Sequence, residues 1–199
     1  MIGAPILQEL SARGHEVKAV VRDTSKLAVL PGVTPVQADI FNADCVAAAV
    51  SGADLVVSAY GPGPENAHIL VDAIQSLMKG IAAAGVRRLI AVGGAGSLEV
   101  APGLQLVDAP GFPEAWRAIA LAHTEALDVL KASSLDWTSV SPAAMIQPGE
   151  RTGAFRLGKD QLLTDANGDS KISTADFAIA IADEVENRAH VRERFTVSY

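Results

Sequence analysis

A doubly wound α/β fold around a parallel sheet is the architecture that this sequence predicts, and three observations point to it. Short, nearly unbroken apolar runs recur along the chain, helical stretches separate them, and glycine or aspartate stands at the junctions. Strands that read as continuous apolar runs are covered on both faces. Strand then helix, repeated, implies right-handed crossovers between parallel neighbours.

The elements follow in order. Pro5 to Ala12 reads as a helix, with Gly14 placed to end it in a left-handed cap. Val17 to Val21 and Val33 to Ala38 read as strands, Asp44 to Val50 as a helix, and Leu55 to Ala59 as a strand. A long helix over Glu65 to Ala84 closes at Gly85 and leads into a strand at Leu89 to Val92. Helix Pro113 to Ala132, strand Trp137 to Val140, helix Thr174 to Asn187 and strand Phe195 to Val197 complete the set. Asp54 and Asp136 open strands from tight turns. A chain of this type normally begins with a strand, a glycine turn and then a helix. Met1-Ile2-Gly3 leaves no room for that strand, so the sheet is expected to lack it, and Met1 is read as an internal methionine of a longer reading frame.

At 199 residues the chain fits one domain, 1–199, with length enough for a full core. Its 49% hydrophobic and 20% charged residues exclude a disordered chain. No apolar run reaches the length of a membrane span, and no secretory leader pattern opens the sequence. A single cysteine, Cys45, read as small core packing, fits a cytoplasmic, reducing compartment. The net charge of −7, with scattered basic residues, argues against a nucleic-acid partner. A small-molecule substrate is expected; the sequence does not set the oligomeric state.

Met1 to Leu10, then Arg13-Gly14-His15-Glu16-Val17 and Val20-Val21-Arg22, resemble the start of atypical short-chain dehydrogenase/reductase proteins. The resemblance is strongest to the NmrA-like, NADH-flavin reductase branch related to biliverdin reductase B. Gly93-Gly94-Ala95-Gly96-Ser97-Leu98, Leu135-Asp136-Trp137-Thr138, and Ile172-Ser173 through Asp176-Phe177-Ala178 extend it over essentially the whole chain. It implies a Rossmann-like sheet and a bound NADP(H) or NAD(H). In that family the first strand–helix turn carries three glycines whose amides hold pyrophosphate at a helix N-terminus. Gly3 matches the last of them.

By the same resemblance, Arg22 meets the 2′-phosphate of NADP, although Asp23 follows directly and mixes the signal. NADP is favoured and NAD is the alternative; an exposed arginine paired with Asp23 is the plain reading. Asp39 and Ile40 match the pair that flanks adenine, where a solvent-facing turn aspartate is the plain reading. Ala59-Tyr60-Gly61 and Gly93-Gly94 follow strands where backbone approaches the cofactor, and Pro142 matches a segment near the nicotinamide. Ligands in open α/β sheets sit at the carboxyl ends of strands, which agrees with these placements.

Many family members use a tyrosine and a lysine four residues later. Counting back from Glu125, the matching positions are Arg117 and Leu121, and neither can act as the usual acid. Hydride transfer to a flavin or quinone needs only two stacked rings, with positioning supplying most of the effect. The expected function is therefore a reductase without that dyad, and a non-catalytic dinucleotide sensor is the alternative. Ser97 and His123 are the remaining candidate catalytic residues, each with a plainer reading as a loop-capping serine and a surface helix histidine. No metal site is expected. The loop over Val100 to Phe112 is read as a lid, and Trp116 as a core residue. Asp165 to Ser173 with Asp176 imitates a calcium loop, but Ser173-Thr174-Ala175-Asp176 reads better as a capping box opening the last helix, and Leu162-Leu163-Thr164 as a strand.

Overall fold

The computed structural model describes residues 1–199. The chain opens directly into α1, Gly3–Ala12, and ends it as expected: Gly14 takes φ +84° and the His15 amide reaches back to the Leu10 carbonyl at 3.1 Å. Strands β1, Val17–Val21, and β2, Val33–Gln37, pair in parallel. Asn42 starts α2, Ala43–Val50, by accepting the amides of Asp44 and Cys45. Then come β3, Leu55–Ser58, α3, Leu70–Ala83, and β4, Arg88–Val92. A small hairpin of β5, Glu99–Ala101, and β6, Leu104–Gln105, precedes α4, Glu114–Lys131. The chain finishes with β7, Asp136–Pro142, β8, Met145–Gln147, β9, Arg156–Gly158, β10, Lys171–Ser173, α5, Thr174–Asn187, and β11, Glu193–Ser198.

The main sheet has the order β3-β4-β7-β11-β9, parallel except for β9, while β1 and β2 form a separate parallel pair. No ladder joins β1 to β3, so the β1-β2 pair is not hydrogen-bonded to the main sheet. Alternation along β4 sorts the core. Leu89 and Ala91 face α2, α3 and α4, whereas Ile90 packs with α1 and α5, and Val140, Phe195 and Val197 join it there. Helices thus cover both faces.

Several local expectations need correction. The helix over 65–84 is broken: residues 64–69 form a 3₁₀ segment in which Asn66 leaves helical geometry at φ −117°. Leu162 to Thr164 is not a strand; the Leu162 amide meets the Glu99 carbonyl at 2.8 Å in a single bridge region. Cys45 is exposed, because α2 turns Val46, Ala49 and Val50 inward. Trp116 is 55% exposed, since α4 turns Ala120, Ala122, Ala126, Leu127 and Leu130 to the interior. The loop over 100–112 is packed, not a free flap: Val107 is 1% exposed, its amide bonds the Gly96 carbonyl at 2.9 Å, and Arg117 holds its carbonyl at 2.7 Å.

Three polar anchors tie the layers together. Arg88 on β4 and Glu184 on α5 form a buried pair, and Glu184 also accepts from Thr138 and from the His190 amide and ring. Burial pulls the Arg88 pKa down, and Glu184 opposes it. Breaking such a pair costs about 3–5 kcal/mol, because the surviving charge stays buried. Glu9 on α1 accepts from Arg13 at 2.9 Å and from Arg151 at 2.8 and 3.0 Å, which straps the segment after β8 across that helix. Fully buried Asp176 accepts the amides of Thr152 and Gly153 and the hydroxyls of Thr152 and Tyr199, all at 2.6–2.9 Å.

The Arg151 hydrogen bond, with help from Arg13, holds the Glu9 carboxyl below its usual pKa. Burial pushes Asp176 up, but its hydrogen bonds from Thr152, Gly153 and Tyr199 outweigh that and leave it lowered. Carboxylates with depressed folded-state pKa values give stability that is complete above their unfolded values and lost as the pH falls. Urea titrations should therefore show wild-type stability dropping below about pH 5. Glu9→Gln and Asp176→Asn should be less stable at pH 7 and lose less on acidification; unchanged slopes in both would remove these two groups from the acid response.

Candidate functional site

The carboxyl ends of the parallel strands carry most of the residues with ligand-binding chemistry. Ile2 precedes α1 without a side-chain cap, no acidic residue occupies the first turn, and Pro5 has no N–H to offer. The amides of Gly3 and Ala4 have no acceptor within the protein. They stand at the positive end of a ten-residue helix, which suits an anion. A Cβ on Gly3 would lie 3.5 Å from that of Ala59, so this helix end sits against the end of β3.

Arg22 follows β1, and no carboxylate pairs with it. Asp23 is turned away from it instead: its carboxylate accepts the Ser25 amide at 3.1 Å and hydroxyl at 2.6 Å, with Lys26 at 3.5 Å. Those Ser25 hydrogen bonds lower its pKa. The mixed signal of adjacent Arg22 and Asp23 therefore resolves into a free guanidinium and a capping carboxylate. Asp39 accepts the Phe41 amide at 3.0 Å, and Ile40 packs against the core under α2 and α3. Phe41 meets the half-buried Tyr60 edge-on, with ring centres 6.1 Å apart at 89°. Burial raises the Tyr60 pKa, and both Arg22 and Asp39 are near enough to act on it. Gly61 opens the exposed turn beyond.

Phe41 is the member of this group that sequence reasoning passed over. The available signal was an aromatic side chain between the Asp39-Ile40 pair and the Asn42 cap.

On the other side of the rim, glycines serve close packing. A Cβ on Gly93 would fall 2.7 Å from the Ser139 hydroxyl, on Gly94 2.8 Å from the His123 Cβ, and on Gly96 2.7 Å from the Ala120 Cβ. The segment after β4 can approach α4 at Gly94 and Gly96, and β7 at Gly93, only because these side chains are absent. Pro142 is buried at the last position of β7, opposite Val197. Ser97 is buried, and its hydroxyl accepts from Arg194 at 2.8 Å, while Arg194 also pairs with Asp160. His123 has no hydrogen-bond partner, and burial pushes its pKa down to about 4, so its ring is neutral at pH 7. The structure thus gathers Gly3, Arg22, Asp39, Ala59 and Tyr60 at one end of the rim and Gly93, Gly94 and Pro142 at the ends of β4 and β7. It does not bring Ser97 and His123 together as a pair.

Near the C-terminus, Ser173 accepts the Asp176 amide at 2.9 Å and caps α5. The Asp176 carboxylate faces Thr152 and Tyr199 in the interior, so it is not available as the twelfth ligand of the turn over 165–173. Asp165 closes that turn by accepting the amides of Asn167 and Asp169.

An uncapped helix N-terminus, an unpaired arginine and an aromatic pair lie along the carboxyl edge of a doubly wound sheet, the edge where open α/β sheets bind their ligands. The chain belongs to the NAD(P)H-binding family, which it matches over residues 1–188, within the atypical short-chain dehydrogenase/reductase, NmrA-like group. Among solved structures it is 48% identical to the "putative exported protein" of Burkholderia pseudomallei, covering 100% of this chain and 95% of that one at a TM-score of 0.92. The "putative epimerase" of Bacteroides thetaiotaomicron is 39% identical over 100% of this chain and 92% of its own, at a TM-score of 0.93. The "putative NADH-flavin reductase" of Streptococcus pneumoniae is 34% identical over 99% and 93%, at a TM-score of 0.88.

The packing glycines are directly testable. Gly93→Ala should destabilise the protein by about 1–3 kcal/mol in urea unfolding, the usual cost of overpacking. Gly93→Ala with Ser139→Ala should recover part of that loss, since the offending hydroxyl is gone; purely additive effects would locate the strain elsewhere.

Proposed function

We propose that this protein is an NAD(P)H-dependent reductase that delivers hydride to a flavin or quinone without a tyrosine–lysine pair. The observation that carries this reading is a cofactor rim with no acid placed to protonate a carbonyl substrate. Arg117 and Leu121 stand at the dyad positions, Arg117 is engaged with Val107 and Asp108, and His123 is neutral. The likeness to a protein called an NADH-flavin reductase supports the same choice. The nicotinamide supplies the hydride when bound, and the protein supplies position.

Each rim residue then has one task. The Gly3 and Ala4 amides hold pyrophosphate, Phe41 and Tyr60 wall the adenosine half, and the backbone at Gly93, Gly94 and Pro142 lies along the nicotinamide half. The unpaired Arg22 takes the 2′-phosphate, which favours NADP(H) over NAD(H). We assign the protein to the cytoplasm, where a lone exposed thiol suits reducing conditions, acting on a small molecule and not on nucleic acid or membrane.

Steady-state assays with NADPH or NADH against FMN, FAD and a quinone test the proposal. Turnover should be faster with NADPH. Arg22→Ala should raise KM for NADPH about tenfold or more, the loss of a charged hydrogen bond, while leaving NADH nearly unchanged. Tight NADPH binding with no acceptor reduced would replace the reductase by a non-catalytic sensor, and equal effects on both cofactors would remove Arg22 from the phosphate.

A further inference from the structure

A second cleft lies at the opposite edge of the sheet, between the last turns of α3 and the start of β7. Ala82 on α3 and Ser133 and Ser134 after α4 are small side chains, and the space beside them is an open cleft of about 340 Å³. That is within the size class of small-molecule sites. Leu135 lines it just before β7 begins, whereas Pro142 ends that strand, so about 20 Å separates the cleft from the cofactor rim.

The lining combines apolar surface with uncommitted polar groups. Met78, Ala82 and Leu135 supply the apolar part. Gln75, Lys79 and Ser134 supply the polar part, and none of their side chains bonds another group of the protein. No acidic residue lines the cleft, on a chain whose net charge is −7. The negative end of α4 is partly answered from within. The Ser133 hydroxyl donates to the Leu130 carbonyl at 2.7 Å, and the Ala132 amide to that of Asp128 at 3.1 Å.

A second cation reaches the same edge at a conformational cost. Arg192 has φ +59°, in the left-handed region that an arginine occupies only when its surroundings hold it there. Its amide donates to the Trp137 carbonyl at 2.6 Å, and its guanidinium to the Ser134 carbonyl at 3.1 Å, at the margin of the cleft. Its only ion-pair partner, Asp136, stands 3.7 Å from Nε and is shared with Arg87 at 3.8 Å, beyond hydrogen-bonding distance of both. One carboxylate therefore faces two arginines, and the Arg192 fork keeps free donors.

We propose that this cleft binds a phosphate monoester with a small apolar body. Lys79 and the Arg192 fork take the phosphate, and Met78 and Leu135 meet the body. A phosphate monoester carries close to two negative charges at neutral pH, which two cations with no lining carboxylate match. The site is separate from the helix N-terminus at Gly3 and needs neither Arg22 nor a bound dinucleotide.

Calorimetric titration of the full chain with phenyl phosphate, inorganic phosphate and benzyl alcohol tests the site. Phenyl phosphate should bind at least about tenfold more tightly than either of the others, because each of those lacks one half of the match. Lys79→Met and Arg192→Met should each weaken it about tenfold, while Arg22→Ala leaves it unchanged. Ala82→Trp, which fills the cleft, should abolish binding. Lys79 and Ala82 are exposed on α3, so their variants carry the test even where Arg192→Met unfolds the chain. Inorganic phosphate or benzyl alcohol binding as tightly as phenyl phosphate would overturn the pairing of charge with apolar surface. Binding that survives both α3 variants, or that disappears in Arg22→Ala, would place the anion elsewhere and overturn the site. No heat of binding at millimolar phenyl phosphate does the same.

Discussion

The double burial of β4 is the constraint on which the rest of this molecule depends. Leu89 and Ile90 are wholly buried on opposite faces of one strand, so α3 and α4 must close on one side and α1 and α5 on the other. Arg88, at the start of the same strand, is locked to Glu184 of α5. With its amino end clamped and both faces filled, β4 has one free feature, its carboxyl end. The glycines and the ends of β3 and β7 line up there because the parallel registers Val57 to Ile90 and Ile90 to Thr138 leave them no other place.

That alignment has a chemical consequence. Bringing α4 down onto Gly94 and Gly96 desolvates His123, and an imidazole without a partner in such surroundings stays neutral. The same close approach leaves Ser97 beside Arg194. Tight packing thus removes the two side chains best suited to proton transfer. What remains at the rim is amide, guanidinium and aromatic surface, a set suited to holding and orienting flat ligands.

The legible and illegible parts of the fold divide along the range of the forces involved. Helix caps at Gly14, Gly85 and Ser173 are local events, and each appears in the structure where the sequence places it. The buried strands were readable because burial on both faces leaves an apolar run. Strands β5, β6, β8, β9 and β10 were not, since each is two or three residues long and exists only through a distant partner. Trp116 and Cys45 were misplaced for a related reason. Apolar character favours the interior, but which face of a helix turns inward depends on what lies beneath it. Within the candidate site, strand-end position was visible in the sequence. The partition between Arg22 and Asp23 was not, because it depends on a turn through Ser25 that only coordinates reveal.

The interruption between β1 and β3 then sets how the cradle at Gly3 is held. Here α1 is positioned from behind, by packing Ile6 and Leu10 against α5 and by the charges that Glu9 exchanges with Arg13 and Arg151. Arg13 also reaches Asp183 and Glu186 on α5, so the helix is fixed along its flank while its N-terminus stays open. A phosphate placed there would meet the two amides of Gly3 and Ala4 together with the positive end of the helix dipole. Arg22 and Asp39 both lie close enough to Tyr60 to act on its hydroxyl, so charge of both signs stands farther along the rim.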